Sequence, residues 1–281
     1  MTETLQAPDH ATEVRRGQRF EFGANWARFL RTLNDERIAE AERSLVRGLG
    51  RERLDGLRLL DAGSGSGLFS LAARRLGAHV TSFDYDPQSV ACTTTLRDRY
   101  FADDPHWTVQ RGSVLDPAFL ATLGDFDIVY SWGVLHHTGR MWEAIEHTAA
   151  RVAPGGQYYI ALYNDQAKLS SFWLAVKRLY CSSAIGRWLV VGTFVPLFAL
   201  INLAADIKNG RSPAKFYREY IRRRGMSAVH DWIDWLGGLP FEVAGPGDVF
   251  TFLRARGFAL THLVTTPSLG CNEFVLVRER R

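Results

Sequence analysis

The chain has 281 residues, with 34 Lys and Arg against 30 Asp and Glu, and 46% of its residues are apolar. This length suits one large domain or one domain with an insertion, and the composition excludes wholesale disorder. A formal net charge of +4 is small for this size, so we expect no nucleic-acid partner. The three cysteines are far apart and fit neither a disulfide framework nor a zinc site, and the N-terminus is polar. We therefore expect a cytoplasmic protein with no secretory signal and no metal.

The first part of the chain predicts a helix followed by an alternation of strands and helices. Residues 34–49 repeat apolar side chains at helical spacing and end at glycines, which is typical of an amphipathic helix. From residue 57 onward, short apolar runs alternate with helical patterns, and this alternation indicates a parallel sheet covered on both faces. The predicted strands are 57–60, 79–83, 107–110, 126–130 and 157–162, and the predicted helices between them are 68–76, 87–100 and 140–152.

The alternation breaks after Asn164 and resumes near residue 241. Residues 165–240 are rich in Trp and Leu and predict a helical insertion. A helix at 247–256 and strands at 258–265 and 272–278 follow. A short loop joins these last two strands, so they must be antiparallel.

The predicted fold is α/β, a Rossmann-like doubly wound sheet of seven strands with an antiparallel last strand and a helical insertion between strands 5 and 6. We predict an N-terminal helical cap, a cofactor-binding core, a helical substrate cover, and a C-terminal helix and strand pair that complete the core. These divisions are residues 1–50, 51–164, 165–240 and 241–281.

A glycine-rich turn follows the first strand and precedes a helix. Asp61 ends the strand, and glycines stand at 63, 65 and 67. Glycine lets the backbone turn tightly and lets a ligand approach the main chain, and a helix start offers free N–H groups. Asp84 ends the next strand, where a carboxylate is able to hold both hydroxyls of a ribose. The spacing is G-x-G-x-G with Leu68 next, which disfavours an NAD(P) oxidoreductase.

These segments resemble the class I S-adenosylmethionine (SAM)-dependent methyltransferases, and within them the small-molecule O-methyltransferases of the quinone-biosynthesis type. The matching segments are LLDAGSGSG (59–67), VTSFDYD (80–86), RGSVLD (111–116), FDIVYSWGVLHHTG (126–139) and VAPGGQYYIALYN (152–164). The tail from Gly257 to Val277 is similar to the final hairpin of that family. The resemblance implies SAM as cofactor and S-adenosylhomocysteine (SAH) as product.

The resemblance also implies roles for individual residues. Asp61 and the loop with Gly63, Ser64, Gly65 and Gly67 would hold the methionine portion of SAM. Asp84 would bind the ribose, and Tyr85 would lie against the adenine. Ser113 and Val114 would read the adenine edge, with Asp116 as a substitute for the acidic residue that the family often has at the Ser113 position. Ser131 and Trp132 would line the channel between the sulfonium and the substrate.

Three histidines are the candidates for a catalytic base, because a hydroxyl acceptor must lose its proton and neutral histidine is poised for that task. His136 and His137 follow the fourth strand, where the family's substrate meets SAM. His230 lies just before the chain rejoins the core. For the substrate side we also expect Tyr163 and Asn164, which end the fifth strand. Trp26 belongs to an aromatic N-terminal stretch that either forms part of a lid or packs on the core.

The segment 188–205 is almost wholly apolar and about long enough to cross a bilayer. We consider three interpretations: a packed lid or homodimer surface, a peripheral membrane contact, and a true span. Pro196 in its middle favours two short helices over one. A single span is disfavoured because it would put the SAM motifs and the closing hairpin on opposite sides of the membrane.

The sequence therefore predicts a SAM-dependent methyltransferase that methylates an oxygen of a small, hydrophobic acceptor. Alternatives are N- or C-methylation of a lipid-linked or natural-product substrate, and a non-catalytic SAM-binding partner subunit.

Overall fold

The computed structural model describes residues 9–212, residue 217 and residues 228–280. The chain divides into two compact units. We call Phe22–Ser170 with Phe241–Arg281 the sheet unit, and Met1–Glu21 with Ser171–Pro240 the helical unit. The segment 1–50, predicted as one N-terminal cap, is thus divided, because its residues from 22 onward group with the sheet.

The sheet unit holds one mixed sheet of seven strands, in the order β3-β2-β1-β4-β5-β7-β6. Strands β1 to β5 pair with one another in parallel, whereas β7 is antiparallel to both β5 and β6. This confirms the predicted fold class, with the closing hairpin at one edge. The strands are β1 (Arg58–Ala62), β2 (His79–Asp84), β3 (Trp107–Arg111), β4 (Phe126–Trp132), β5 (Val152–Tyr163), β6 (Phe258–Val264) and β7 (Cys271–Arg278).

Helices cover the sheet unit and make up the described part of the helical unit. A short 3₁₀ turn, Leu135–His137, follows β4. The helices are α1 (His10–Arg15), α2 (Gly23–Leu30), α3 (Asp35–Leu49), α4 (Leu68–Arg75), α5 (Pro87–Tyr100), α6 (Pro117–Leu123), α7 (Met141–Ala149), α8 (Lys168–Ser182), α9 (Ala184–Lys208), α10 (Ala228–Gly237) and α11 (Pro246–Arg254).

Both faces of the sheet are buried, as the continuous apolar runs of its strands predict. Successive residues point to opposite faces, so Val129 and Phe274 belong to one core cluster while Ile128 and Val275 belong to the other. The predicted amphipathic helix α3 packs on the second cluster. Its start is capped by Asn34, whose side chain accepts the Arg37 N–H at 3.1 Å.

Two local predictions were wrong. Strand β5 begins at Val152 and contains the Pro-Gly-Gly segment, whereas it was predicted to begin at residue 157 after a helix over 140–152. The pairing with β4 shifts at this point, because Phe126 faces Val152 but Ile128 faces Gln157, so the extra residues bulge within the strand. Helix α9 is continuous through Pro196, although two short helices were expected. A proline removes one main-chain hydrogen bond, and the remaining bonds of this long helix carry it past that residue.

Candidate active site

The glycine turn between β1 and α4 lies at the carboxyl edge of the sheet. The Gly63 N–H and the Ser64 N–H both donate to the carbonyl oxygen of Phe83, at 2.9 and 3.1 Å, which fastens the turn to β2. Gly63 has a φ of +87°, and a Cβ built there would lie 2.3 Å from a Val134 methyl carbon. Only glycine fits this position, for reasons of both backbone conformation and space. The contact with Val134 also puts the glycine turn beside the 3₁₀ turn Leu135–His137, which we call the histidine turn.

Asp61 is buried beneath this turn and is 3% exposed. The Ser70 hydroxyl donates to its carboxylate at 2.5 Å, and Ser70 in turn contacts the Ser82 hydroxyl at 2.7 Å. Burial raises the pKa of Asp61 to about 7, and the nearby Asp84 carboxylate adds to this increase. Such a carboxylate gains most from a positively charged ligand group, because a cation favours its ionised form.

Asp84, at the end of β2, joins the glycine turn to the start of α5. Its two carboxylate oxygens accept the N–H of Gly65 and the N–H of Asp86, each at 2.9 Å. The Tyr85 N–H donates to the same carboxylate, whose oxygens act only as acceptors when it is ionised. Burial raises the pKa of Asp84 to about 6 despite these hydrogen bonds. Tyr85 follows it directly and is half-buried.

Helix α2 packs on the same turn, which concerns the predicted substrate residue Trp26. The Gly23 N–H donates to the Asp86 carboxylate at 2.8 Å. A Cβ on Gly65 would lie 3.0 Å from the Trp26 ring. Trp26 therefore lies against the proposed cofactor loop, at the glycine turn itself. Ser64 is also engaged in this region, since its hydroxyl contacts the Thr93 hydroxyl at 2.9 Å.

The loop after β3 carries Ser113 and Val114. The Ser113 hydroxyl oxygen accepts the Leu115 N–H at 3.1 Å, and Val114 is 6% exposed. Asp116 was considered as a substitute contact for the cofactor. Its carboxylate instead caps α6 by accepting the N–H groups of Ala118 and Phe119, both at 3.0 Å, so its role is structural.

The end of β4 gives Ser131 and Trp132 different environments. The Ser131 hydroxyl is fully buried and donates to the Ala62 carbonyl at 2.7 Å, so it links β4 to β1 and does not line a channel. Trp132 is 39% exposed at the edge of the sheet. The Trp132 ring therefore remains the candidate contact on this strand.

Both histidines of the turn after β4 belong to one aromatic cluster, which contains Phe22, His136, His137, Tyr163 and Phe241. The ring centroids of His136 and Tyr163 are 4.0 Å apart, and those of Phe22 and His137 are 4.9 Å apart. The centroids of Tyr163 and Phe241 are 5.4 Å apart. The cluster brings together the turn after β4, the end of β5, and Phe22 and Phe241, which begin the two chain segments of the sheet unit.

The two histidines differ in burial and in hydrogen bonding. His136 is fully buried, and its Nδ1 accepts the Tyr163 N–H at 3.3 Å. A neutral imidazole that accepts at Nδ1 carries its proton on Nε2. His137 is half-buried and lies between Phe22 and the other rings of the cluster. The turn therefore offers one histidine held inside the protein and one nearer to its surface.

Glu242 is a site residue that the sequence reasoning missed. Its main-chain N–H donates to the His136 carbonyl at 3.0 Å, and its carboxylate accepts the Met141 N–H at 3.0 and 3.1 Å. It also accepts hydrogen bonds from Gly139 and Thr138, while burial raises its pKa. Glu242 thus binds both ends of the histidine turn. No motif marks it, because it lies about a hundred residues further along the chain.

Asn164 is committed to a structural contact. Its Nδ2 donates to the Thr266 carbonyl at 2.9 Å, and its Oδ1 accepts from Asn272 at 3.0 Å. These bonds hold the loop between β6 and β7, so the side chain is engaged away from the aromatic cluster. His230 lies in α10 of the helical unit, and its side chain falls outside the part of the chain that the structure describes.

Comparison with known proteins gives a consistent family. The sequence model of a protein family described as a methyltransferase domain matches residues 60–158. The chain is 30% identical over 177 residues to a ubiquinone biosynthesis O-methyltransferase of Methylobacterium sp. (strain 4-46), covering 59% of this chain and 68% of the relative. It is 29% identical over 161 residues to the protein of that name from Caulobacter sp. (strain K31), covering 57% and 59%. The chain spans 50–59% of the length of the first three curated relatives that it matches.

Among solved structures, the chain is similar to magnesium protoporphyrin IX methyltransferase from Synechocystis PCC 6803, determined with bound SAM. The TM-score is 0.56 at 14% identity, covering 98% of this chain and all of the other. At this identity the similarity shows a shared fold.

Proposed function

The chain belongs to the class I SAM-dependent methyltransferases, and on that basis we propose that it transfers a methyl group from SAM to an oxygen of a small, hydrophobic metabolite. One observation carries this proposal. The glycine turn, the buried Asp61 carboxylate, the half-buried Asp84 carboxylate and an aromatic cluster with two histidines meet at one edge of the sheet. The relatives named ubiquinone biosynthesis O-methyltransferase support an oxygen as the acceptor atom.

The residues present fit SAM. The glycine turn itself carries only small side chains, with serines between its glycines, and Asp61 is a buried carboxylate suited to a positively charged amino group. The Asp84 carboxylate, an acceptor at the end of β2, would bind the ribose hydroxyls. Tyr85, Ser113 and Val114 would hold the adenine. When bound, SAM supplies a methyl group on a positively charged sulfur, which is already a strong electrophile.

We assign the base to His137. The acceptor hydroxyl must lose its proton for its oxygen to accept a methyl group, and the His137 imidazole would take that proton. His136 is less suited, because its hydrogen bond to the Tyr163 N–H occupies Nδ1 and its Nε2 carries the proton. His136 instead positions the turn, and Tyr163 and Trp132 would contact the acceptor. His230 remains a third candidate.

Single alanine variants test these roles. Purified protein is incubated with SAM and a panel of aromatic hydroxyl acceptors, and SAH release and product mass are measured. His137→Ala should lose turnover while its SAM affinity, measured by calorimetry, stays within about twofold. His262→Ala, an exposed histidine on β6, serves as the matched control. Full turnover in the variants at 136, 137 and 230 would mean that catalysis depends on proximity alone.

The same assay separates the alternatives. Methylated amine or carbon products would identify an N- or C-methyltransferase, possible substrates being lipid-linked compounds or natural products. SAM binding with no SAH release from any acceptor would favour a non-catalytic SAM-binding subunit.

We also propose a cytoplasmic location with peripheral membrane contact through residues 188–205. A homodimer through the same surface is the competing proposal. The supporting observation is α9, which among the described helices is the one long and apolar enough to cross a membrane by length and composition.

A further inference from the structure

Helix α9 exposes a continuous apolar stripe along its whole length. An 18-residue window of this helix has a mean hydropathy of 2.0, yet only 6% of it is buried. Ile185 and Trp188 are each 73% exposed, Leu200 is 62% exposed and Ile207 is 67% exposed. These residues recur at helical spacing, so they share one face about 33 Å long. A stripe of this size is unusual on a surface that faces only water.

Among the described residues from 171 to 212, the exposed charged side chains have a single sign. Between residues 171 and 212 the exposed charged side chains are Arg178, Arg187, Lys208 and Arg211. The acidic residue of this stretch, Asp206, is 7% exposed. Arg187 and Lys208 stand near opposite ends of the helix, so the stripe has positive charge at both ends. A negatively charged surface complements this pattern.

The charge pattern also bears on a second copy of the chain. A symmetric dimer would bring the same surface of each copy together. The positive ends of the two helices would then face each other, which opposes association. An anionic bilayer offers the apolar interior and the opposite charge at once.

The sheet topology excludes a single crossing of the membrane by α9. Strand β5 precedes this helix and β7 follows it, yet the two strands pair from Gln157–Val277 to Tyr163–Cys271. One crossing would separate strands that are hydrogen-bonded neighbours. An interfacial orientation satisfies both the hydropathy and the pairing.

We propose that α9 docks on an anionic phospholipid bilayer, lying in the plane of the membrane with the stripe of Ile185, Trp188, Leu200 and Ile207 in the acyl region. By helical spacing Arg187 and Lys208 lie to the sides of and behind this stripe, so they favour an anionic surface through their charge rather than by direct contact with lipid phosphates. This inference extends the proposed peripheral contact and does not depend on methyl transfer. A negative vesicle-binding result would therefore leave the proposed methyl transfer untouched, and a negative SAH-release result would leave the membrane proposal untouched.

Co-sedimentation of the full chain with vesicles tests the proposal. The chain should bind equimolar phosphatidylcholine and phosphatidylglycerol, bind phosphatidylcholine alone less well, and lose binding as NaCl is raised. Leu200→Glu should lower the partition coefficient about tenfold, since a leucine that lies in the acyl region of the bound chain is replaced by a charge. Leu263→Glu, on β6 and 41% exposed, should bind like the wild type.

Two further measurements keep the proposal open to refutation if Leu200→Glu does not fold. Arg187→Glu should weaken binding to the mixed vesicles but not to phosphatidylcholine alone. Brominated lipids should quench tryptophan fluorescence of the bound chain, and Trp188→Phe should remove part of that quenching. The proposal is overturned if the wild type binds neither vesicle, or if Leu200→Glu binds as well as the wild type. A dimer in light scattering that binds no vesicles would assign the stripe to a second copy.

Discussion

Replacing Glu242 with alanine tests whether the histidine turn is held by the segment that follows residue 240. The substitution removes the carboxylate that accepts the Met141 N–H at 3.0 and 3.1 Å, together with the bonds from Gly139 and Thr138. It leaves the main-chain bond to the His136 carbonyl in place. The variant therefore loosens the turn without deleting any group proposed to contact SAM or the acceptor.

The magnitude follows from these contacts. Hydrogen bonds to a charged acceptor contribute about 1.5–3 kcal/mol each when buried, and this half-buried carboxylate is partly replaced by water. We expect Glu242→Ala to lower the free energy of unfolding by about 1–2 kcal/mol in total. A displaced His137 should lower kcat by about ten- to hundredfold, because small errors in position are costly in catalysis. The KM for SAM should stay nearly constant.

Steady-state kinetics and urea denaturation measure the two effects on the same preparations. Glu242→Gln keeps one acceptor oxygen and should recover most of kcat, whereas Glu279→Ala, an exposed acid near the C-terminus, should match the wild type. If Glu242→Ala loses stability but keeps kcat within twofold, the residue only supports α7 and the reasoning is refuted.

Three more outcomes are expected. The unliganded protein should lose stability as pH rises from about 4 through 7, because burial raises the folded-state pKa of Asp61 to about 7, above the unfolded value of 3.8. Asp61→Asn should flatten the upper part of this dependence in urea denaturation, and an unchanged slope between pH 6 and 8 would contradict the assignment. Gly63→Ala should destabilise the fold by about 2–4 kcal/mol, from left-handed strain and the clash with Val134. Gly50→Ala is its matched control, because it has a similar positive φ with open space around it and should cost only about 1 kcal/mol; equal losses in the two variants would discount the clash. Asn272→Ala should cost about 2 kcal/mol in thermal or urea unfolding, since it leaves the Thr266 N–H and the Asn164 amide without this partner, and an unchanged midpoint would show that water replaces both bonds.

The number of strands, their alternation with helices and the position of the cofactor loop were accessible from the sequence for a local reason. Short apolar runs, helical spacing, short connections and a glycine-rich turn are properties of neighbouring residues. The antiparallel hairpin at the end followed from a short loop alone, and the structure confirms it. Asp84 could be placed beside the glycine turn because consecutive parallel strands end at the same edge of a sheet.

Other features depend on contacts between distant residues. The Asp116 carboxylate caps the start of α6, and the Ser131 hydroxyl bonds the neighbouring strand β1. Neither side chain is therefore available for the contact that the sequence suggested. Helix α9 continues through Pro196 because the many other main-chain hydrogen bonds of this long helix outweigh the one that the proline removes. Each of these required the packed structure.

The sequence by itself determined the class of sheet, the glycine turn and the two carboxylates, because these are encoded by residues close together in the chain. Only the tertiary structure decided that His136 accepts a hydrogen bond from Tyr163 and that Glu242 holds the turn of both histidines. It also decided that the apolar residues of α9 are exposed rather than buried. Hydropathy reports what a segment would gain from leaving water, whereas burial depends on which other segments are present to cover it.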